Sequence, residues 1–414
     1  MQKKLLALLL RGSSMGSKFL LIIGLSKILT TYEYGVFSLL ITTLTFLMFF
    51  LGLDFYNFSH REIIDDDTNK IQFLVNQFWF HVFCYIVYIP IVYCLFSIDI
   101  IPFSYIIPFY ILLVIEHLGQ ELFRFFNLFN KPHQANFSLL IRTGLWISIM
   151  FLVEYVIYNR ELNITTILYY WISGSILALL HGFIYIMIRG NVKRKDIKFF
   201  SIDKKWIKRG VKISIPFFFG TIAYKIIEYS DRYMIDWFLD KEQVGIYSFY
   251  TNFANIVNIA VNTITITLIF PNLLRVISSG KIMKIKADII NFKKEILVTT
   301  AIVSAIIIIM IFPTLNWLNK PDFSNEIVTY FVVLTANVIF NISLLYHFLL
   351  YAYKKDKSIL MPTLYACVVN IILNVIFIPK FGIIAAGFST LISFTIILFL
   401  KRKYWLKVKR INFG

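Results

Sequence analysis

Residues 296–317 read ILVTTAIVSAIIIIMIFPTLNW, which is 22 consecutive residues without a charged side chain. A helix of this length, rising about 1.5 Å per residue, reaches about 30 Å, the thickness of the hydrocarbon core of a bilayer. A soluble protein would need a polar face on so long a helix. This stretch therefore predicts a transmembrane helix.

Apolar stretches of similar length follow one another on both sides of residues 296–317. These stretches leave no room for a soluble domain. Together with residues 296–317 there are twelve apolar stretches, six in each half of the chain. The predicted fold class is therefore an all-α integral membrane protein with about twelve transmembrane helices. The other predicted helices cover residues 5–29, 36–55, 73–96, 106–123, 139–158, 165–188, 213–239, 246–270, 327–351, 359–378 and 383–400.

The chain has few charges, and their distribution predicts its orientation. Of its 414 residues, 58% are hydrophobic and 15% are charged, whereas soluble domains carry about 25% charged residues. The net charge of +18 would suggest a nucleic-acid partner in a soluble protein, but here most Lys and Arg residues fall in alternate loops. With both termini in the cytoplasm, only Arg160, Lys241, Lys320 and Lys380 lie in outer loops. We therefore expect cytoplasmic termini and no nucleic-acid partner.

A basic segment and a repeat predict a division into two halves. Residues 189–212 contain ten basic and two acidic residues and predict a cytoplasmic linker that touches anionic lipid headgroups. The sequence YGVFS at 34–38 recurs as VGIYS at 244–248, after the first helix of each half. The predicted organisation is an N-terminal bundle at residues 1–188, the basic linker at 189–212, a C-terminal bundle at 213–400 and a basic cytoplasmic tail at 401–414.

The first predicted helix carries two cations that the bilayer penalises. Arg11 and Lys18 lie seven residues apart on one helical face, and this helix has no acidic residue. A charge near the bilayer centre costs about 2.5 to 3.5 kcal/mol, so Lys18 indicates a water-filled cavity or an anionic ligand. Arg11 is closer to the cytoplasmic end and has the alternative of snorkelling to the headgroups. Arg142, with no charged helical partner three or four positions away, is a second candidate for an anion contact.

The seventh predicted helix has a face of alternating charge with two interpretations. The face either neutralises itself as a ladder of ion pairs, or takes part in binding an anionic substrate and relaying protons or cations. Its basic members, Lys225 and Arg232, are further candidate anion contacts. The candidate coupling or salt-bridge residues are Glu228, Asp231 and Asp236 of this helix and Glu116 of the fourth helix.

Asparagines recur at helical spacing in the C-terminal half. An amide both donates and accepts hydrogen bonds and suits the hydroxyls of a sugar, although membrane asparagines more commonly bond neighbouring helices. The three cysteines and six histidines are scattered, so their spacing predicts no metal site and no catalytic residue. The candidate sugar contacts are Asn252, Asn255, Asn258, Asn262, Asn341 and Asn374.

Three groups of residues resemble one family of membrane proteins, in family order along the chain. They are LSKIL at 25–29 with EYGVFS at 33–38, DRYM at 231–234 with VGIY at 244–247, and Asn370 and Asn374 followed by IPKFGI at 378–383 and AAG at 385–387. They are similar to the polysaccharide transporter family, the Wzx-type flippases of O-antigen and capsule repeat units. That family lies within the multidrug/oligosaccharidyl-lipid/polysaccharide (MOP) exporter superfamily.

The resemblance implies a transporter and not an enzyme. It implies two six-helix bundles around a central cavity, alternating access, and movement of an undecaprenyl-pyrophosphate-linked oligosaccharide from the cytoplasmic to the outer leaflet of the bacterial inner membrane. The basic residues would meet the pyrophosphate, with Lys18 and Arg142 as first choices. No cofactor is implied apart from a proton or sodium as the coupling ion. A polysaccharide polymerase and a chain-length protein are the implied partners.

Two other functions stay open at this point. A cation-coupled multidrug exporter of the same superfamily should favour acidic over basic residues in its cavity, whereas the first helix here carries cations. A membrane polysaccharide polymerase or glycosyltransferase should place acidic or arginine-rich motifs in a long external loop, and the predicted outer loops are short.

Overall fold

The computed structural model describes residues 2–66, 69–189 and 199–413. Within these ranges the regular structure is helical, and eleven helices are long and apolar enough to cross a membrane. A further long helix, α1 (Gln2–Ile28), carries five basic residues and is not among these eleven. The prediction of an all-helical membrane protein with about twelve spans is confirmed.

The chain forms two compact units, Met1–Ile222 and Ala223–Gly414. After α1, the first unit contains α2 (Thr31–Gly52), α3 (Tyr56–Asp65), α4 (Lys70–Ser97), α5 (Ile106–Leu128), α6 (residues 132–157) and α7 (Ile164–Arg189). The boundary falls inside α8 (Lys204–Phe238). The second unit continues with α9 (Lys241–Ser278), α10 (Ile282–Leu318), α11 (Pro321–Asn325), α12 (Ile327–Ala352), α13 (Asp356–Phe381) and α14 (Ile383–Phe413).

Some helices extend into segments that the sequence predicted as linker or tail. α8 begins within the predicted linker, of which residues 190–198 lie outside the described residues. α14 runs through the predicted tail as far as Phe413, because Trp405 and Val408 are buried in a cluster with Phe292. The domain bounds at 188, 212 and 400 stay predictions, as does the cytoplasmic position of the termini.

The stretch at 296–317 lies in α10 and shows how the bilayer shapes this fold. Its apolar side chains Ile302, Ile306 and Ile309 are exposed, whereas the polar side chains Thr299 and Ser304 are buried. A soluble helix would have the opposite pattern. A bilayer permits it because lipid covers the apolar face while packed helices cover the polar groups.

The sequence repeat at residues 34–38 and 244–248 is accompanied by a repeated structure, the capped beginning of α2 and of α9. Thr30 caps α2, since its side chain accepts a hydrogen bond from Glu33 N and the Glu33 side chain accepts one from Thr30 N at 2.9 Å. Asp240, 210 residues later, caps α9 by accepting a hydrogen bond of 2.7 Å from Gln243 N. The repeated residues 34–38 and 244–248 therefore occupy the same first turns, and all ten are buried.

Removing either cap should cost about 1 kcal/mol of unfolding free energy. We expect Thr30→Ala and Asp240→Ala to lower the thermal unfolding midpoint in detergent by similar amounts, because backbone N–H groups of the first turn lose their acceptor. The control is Thr165→Ala, which changes an exposed threonine within the first turn of α7. Equal midpoints for all three variants would contradict the capping role.

Candidate functional site

A buried ion pair joins α5 to α6 in the first unit. Arg142 Nε lies 3.8 Å from Glu116 Oε2, and Arg142 Nη1 donates a hydrogen bond of 3.1 Å to the Glu116 carbonyl. The other carboxylate oxygen, Oε1, accepts hydrogen bonds from Trp171 Nε1 at 3.0 Å and Ser175 Oγ at 2.5 Å, both on α7. Glu116 therefore holds three helices together, and the proposed anion contact Arg142 already has an acidic partner.

Two local features allow Arg142 to reach Glu116. Arg142 lies in the π-helical turn Ile141–Leu145, where α6 takes in an extra residue and redirects its side chains. The arginine side chain crosses Gly119 of α5, where an added Cβ would lie 2.7 Å from Arg142 Cδ. The arginine therefore fits because position 119 has no side chain.

Lys18 of α1 lies beside this ion pair. α1 packs closely on α6, since a Cβ added at Gly144 would lie 3.3 Å from Ser14 Cα. Lys18 is exposed, and the charges of Arg142 and Glu116 are close enough to act on it. Among the described residues, no side chain forms an ion pair or hydrogen bond with Lys18. We call Lys18, Glu116 and Arg142 the cationic site, because together they carry one net positive charge.

The other predicted cations have different surroundings. Arg11 is half-buried on α1, about two turns from Lys18. In the second unit, Lys225 Nζ lies 2.6 Å from Glu228 Oε2. Arg232 is buried and donates hydrogen bonds to Ser248 Oγ, Thr251 Oγ1 and the carbonyl of residue 228. Asp236 pairs with Lys241 at 3.2 Å, so much of the charged face of α8 is neutralised locally.

Asp231 of α8 accepts hydrogen bonds from side chains of three other helices, α9, α13 and α14. Its side chain is 2% exposed and accepts hydrogen bonds from Tyr247 OH at 2.5 Å, Asn374 Nδ2 at 2.6 Å and Thr390 Oγ1 at 2.7 Å. Asn374 Nδ2 also donates to Asn370 Oδ1 at 3.2 Å. We call these five residues the Asp231 cluster. Asn374 Oδ1 and Asn370 Nδ2 are buried and have no hydrogen-bond partner among the described residues, so the cluster retains unused bonding capacity.

The predicted sugar-contact asparagines separate into two groups. Asn258 is buried, donates to Asn337 Oδ1 at 2.6 Å and accepts a hydrogen bond from Asn341 Nδ2, so it ties α9 to α12. Asn255 is half-buried and accepts a hydrogen bond of 2.7 Å from Asn258. Asn252 is half-buried like Asn255, and Asn262 is exposed, with its Nδ2 donating a hydrogen bond of 2.8 Å to the Asn258 carbonyl. Asn262 is thus the most accessible member of the row.

Several important partners could not be found by sequence spacing. Trp171 and Ser175 hold Glu116 from another helix, and Tyr247 and Thr390 reach Asp231 from helices α9 and α14. The spacing of Asn370 and Asn374 by four residues was a usable signal, because it places both on one face of α13.

In fold, the chain is similar to several solved membrane transporters. The chain is similar to a multidrug resistance MATE family transporter of the MOP superfamily in its inward-facing conformation, with a TM-score of 0.75, 11% identity, and coverage of 97% of this chain and 98% of that one. The outward-facing conformation of such a transporter matches with a TM-score of 0.66 and 11% identity over 99% and 95% of the two chains. A MOP superfamily transporter from Pyrococcus furiosus, described as having reverse polarity of its binding pocket, matches with a TM-score of 0.60 and 11% identity over 99% and 96%.

At such low identity these likenesses show the fold alone. No curated protein matches the chain in sequence. The model of one family, described as "Polysaccharide biosynthesis protein", matches residues 1–277, which is more than half of the chain. The protein is therefore a multi-pass membrane protein with a MATE-like fold, and it belongs to the polysaccharide biosynthesis protein family.

Proposed function

We propose that the protein is a flippase that moves an undecaprenyl-pyrophosphate-linked oligosaccharide from the cytoplasmic to the outer leaflet by alternating access. The family match supports a role in polysaccharide assembly, and the transporter fold supports transport over polymerase or glycosyltransferase chemistry. We place this activity in O-antigen or capsule synthesis at a bacterial inner membrane, upstream of a polysaccharide polymerase and a chain-length protein.

The observation that carries the proposal is Lys18, an exposed residue that has no ion-pair partner among the described residues and lies next to the neutralised pair of Arg142 and Glu116. A pyrophosphate is an anion with several oxygen acceptors, and a lysine ammonium offers it a compact charge with three donors. Arg142 contributes its charge nearby, although Glu116 offsets it. The excess of one positive charge favours an anionic headgroup over the cationic substrates that an acidic cavity would select.

The exposed residue Asn262 suggests where the sugar binds. Its side chain is accessible, which suits hydrogen bonds to sugar hydroxyls. Asn258, Asn341 and Asn374 are engaged with other side chains, so for these three we now favour interhelical bonding over sugar contact.

The test is transport by the purified protein in proteoliposomes. A short-chain fluorescent lipid pyrophosphate bearing a sugar is placed in both leaflets, and a membrane-impermeant reagent measures how fast the inner pool becomes accessible. We expect protein-dependent flipping of the pyrophosphate lipid and none of a zwitterionic phospholipid. If the lipid-linked unit crosses no faster than in empty vesicles, while a cationic dye is exported, the multidrug alternative replaces the flippase.

We further propose that the Asp231 cluster binds the coupling ion, a proton or sodium. The residues fit such an ion: the carboxylate, the Asn370 and Asn374 amide oxygens and the Thr390 hydroxyl are hard oxygen ligands, and Asn374 Oδ1 is buried without a partner among the described residues. A bound cation would offset the buried charge of Asp231. The same cluster would serve a cation-coupled drug exporter, so it does not distinguish the two functions.

Neutralising Asp231 should therefore remove the ion dependence of transport. We expect Asp231→Asn to transport at the same rate with or without a sodium or proton gradient, because the variant has no carboxylate to bind the ion. Asp236→Asn changes the neighbouring acid that pairs with Lys241, and should keep the dependence. Flipping by the wild-type and Asp231→Asn proteins with equal response to both gradients would rule out coupling at this cluster.

A further inference from the structure

Two histidines and a glutamate, none of them a member of the cationic site, meet inside the first unit. His81 lies on α4, whereas His117 and Glu121 lie one turn apart on α5. Each offers one ligand atom, and these atoms all lie within 4.8 Å of one another. His117 Nε2 is 4.0 Å from Glu121 Oε1, and the two imidazole rings are centred 4.8 Å apart. We propose that His81, His117 and Glu121 bind a divalent transition-metal ion of the Zn²⁺ class.

The hydrogen bonds of His117 direct one ring nitrogen toward the ion. Its Nδ1 is 2.7 Å from the Tyr85 hydroxyl, which accepts the proton of Nδ1 when Nε2 is the free nitrogen. His117 is fully buried, and Nε2 has no hydrogen-bond partner among the described residues. An oriented histidine with one nitrogen bonded and the other free is the usual arrangement of a metal-binding histidine.

There is space for an ion and a route to it. A Cβ added at Gly52 would lie 3.3 Å from His117 Nε2, so the glycine leaves room beside this nitrogen. His81 and Glu121 also line a cavity of about 600 Å³ whose other walls are mostly apolar residues of α4, α5 and α7. The cavity gives the ion access and leaves a fourth position for water.

The ligand types select the class of metal. Two imidazoles and one carboxylate suit Zn²⁺ and its neighbours, whereas Mg²⁺ and Ca²⁺ prefer oxygen ligands alone. A tetrahedral ion with bonds of about 2.1 Å holds its ligands about 3.4 Å apart, so the side chains must close by about 1 Å to bind it. The bound ion would bridge α4 to α5.

Arg124 opposes the ion at this site. It contacts Glu121 Oε1, while Gln77 Nε2 donates to Oε2 at 2.8 Å. A metal must therefore share Glu121 with a positive charge, which lowers its affinity. Removing Arg124 should therefore strengthen metal binding, because Glu121 is then free of the competing charge, although the change removes an ion pair from the protein.

The test measures Zn²⁺ binding to the tag-free full-length protein in detergent by titration calorimetry. We expect one Zn²⁺ per chain, at least 100-fold weaker binding for His81→Ala and His117→Ala, and 10- to 100-fold weaker binding for Tyr85→Phe, which removes the acceptor that orients His117. Arg124→Gln should bind more tightly than wild type. His133→Ala, a histidine outside the cluster, should bind as wild type does. Size-exclusion profiles identify any variant that has lost its fold, and Tyr85→Phe is the mild change that keeps both histidines.

X-ray absorption of the zinc-loaded protein supplies an independent readout, with scattering from two imidazoles expected for wild type and from fewer for His117→Ala. Absence of stoichiometric Zn²⁺ binding by the wild-type protein would overturn the proposal. Equal affinity in the wild-type and both histidine-to-alanine proteins would overturn it as well, because the zinc would then lie elsewhere.

Discussion

Replacing Glu116 with glutamine should lower the free energy of unfolding by about 3 to 5 kcal/mol, because the change leaves Arg142 as a buried charge without its acid. Glutamine isolates the effect of the charge. Its amide oxygen can still accept the hydrogen bonds that Trp171 and Ser175 donate to Glu116 Oε1. The oxygen that glutamine removes is Oε2, which faces Arg142 Nε across 3.8 Å. That distance is too long for a hydrogen bond, so the lost interaction is mainly the attraction of charges.

A second substitution tests this explanation. In the double variant Glu116→Gln, Arg142→Met, the buried guanidinium is removed together with its acid, and we expect most of the lost stability to return. The matched control is Glu154→Gln on α6, whose Oε1 accepts a hydrogen bond of 2.8 Å from Tyr170 of α7 but which is only half-buried. Thermal unfolding in detergent, monitored by tryptophan fluorescence, measures all of these proteins. A double variant no more stable than Glu116→Gln alone would show that the carboxylate acts by something other than pairing with Arg142.

The membrane fold could be predicted from the sequence because the bilayer restricts the solutions so strongly. A run such as 296–317 cannot be covered by water and must form its hydrogen bonds internally, so its length alone indicates a spanning helix. The ten-residue helix α3 was missed because it is short and polar and carries no such signal. The extension of α14 was missed because it depends on Trp405 packing into a distant cluster.

The site was less predictable because its pairs cross between helices. Lys225 and Glu228 are three residues apart on one helix, so one of the two interpretations of α8, a ladder of local ion pairs, could be read from that spacing. Glu116 and Arg142 were identified separately, but no sequence rule joins residues of α5 and α6. The same limit applies to the histidines. His81 and His117 are far apart in sequence, and only the packing of α4 against α5 places their rings next to each other.

Among the predicted cations, the structure makes Lys18 the best test of anion binding. Arg142 is paired with Glu116, Lys225 is paired with Glu228, and the guanidinium of Arg232 is bonded to hydroxyls and a carbonyl. Lys18 is exposed and has no such partner among the described residues. Its substitution should therefore cost little stability, so that a change in transport reports on the substrate and not on unfolding.

We expect Lys18→Met to bind the lipid pyrophosphate about 10- to 100-fold more weakly, since a hydrogen bond to a charged group contributes about 1.5 to 3 kcal/mol. Lys18→Arg keeps the positive charge and should retain much of the transport. The control Arg11→Met changes another cation of α1, for which headgroup contact is the alternative. A small effect of this control would separate the two residues. Initial flipping rates at several substrate concentrations, beside the unfolding midpoints, give the comparison. If Lys18→Met is as stable and as fast as wild type, Lys18 does not bind the pyrophosphate. The cationic site would then offer only the ion pair of Arg142 and Glu116, which is neutral and has no net charge with which to select an anionic headgroup.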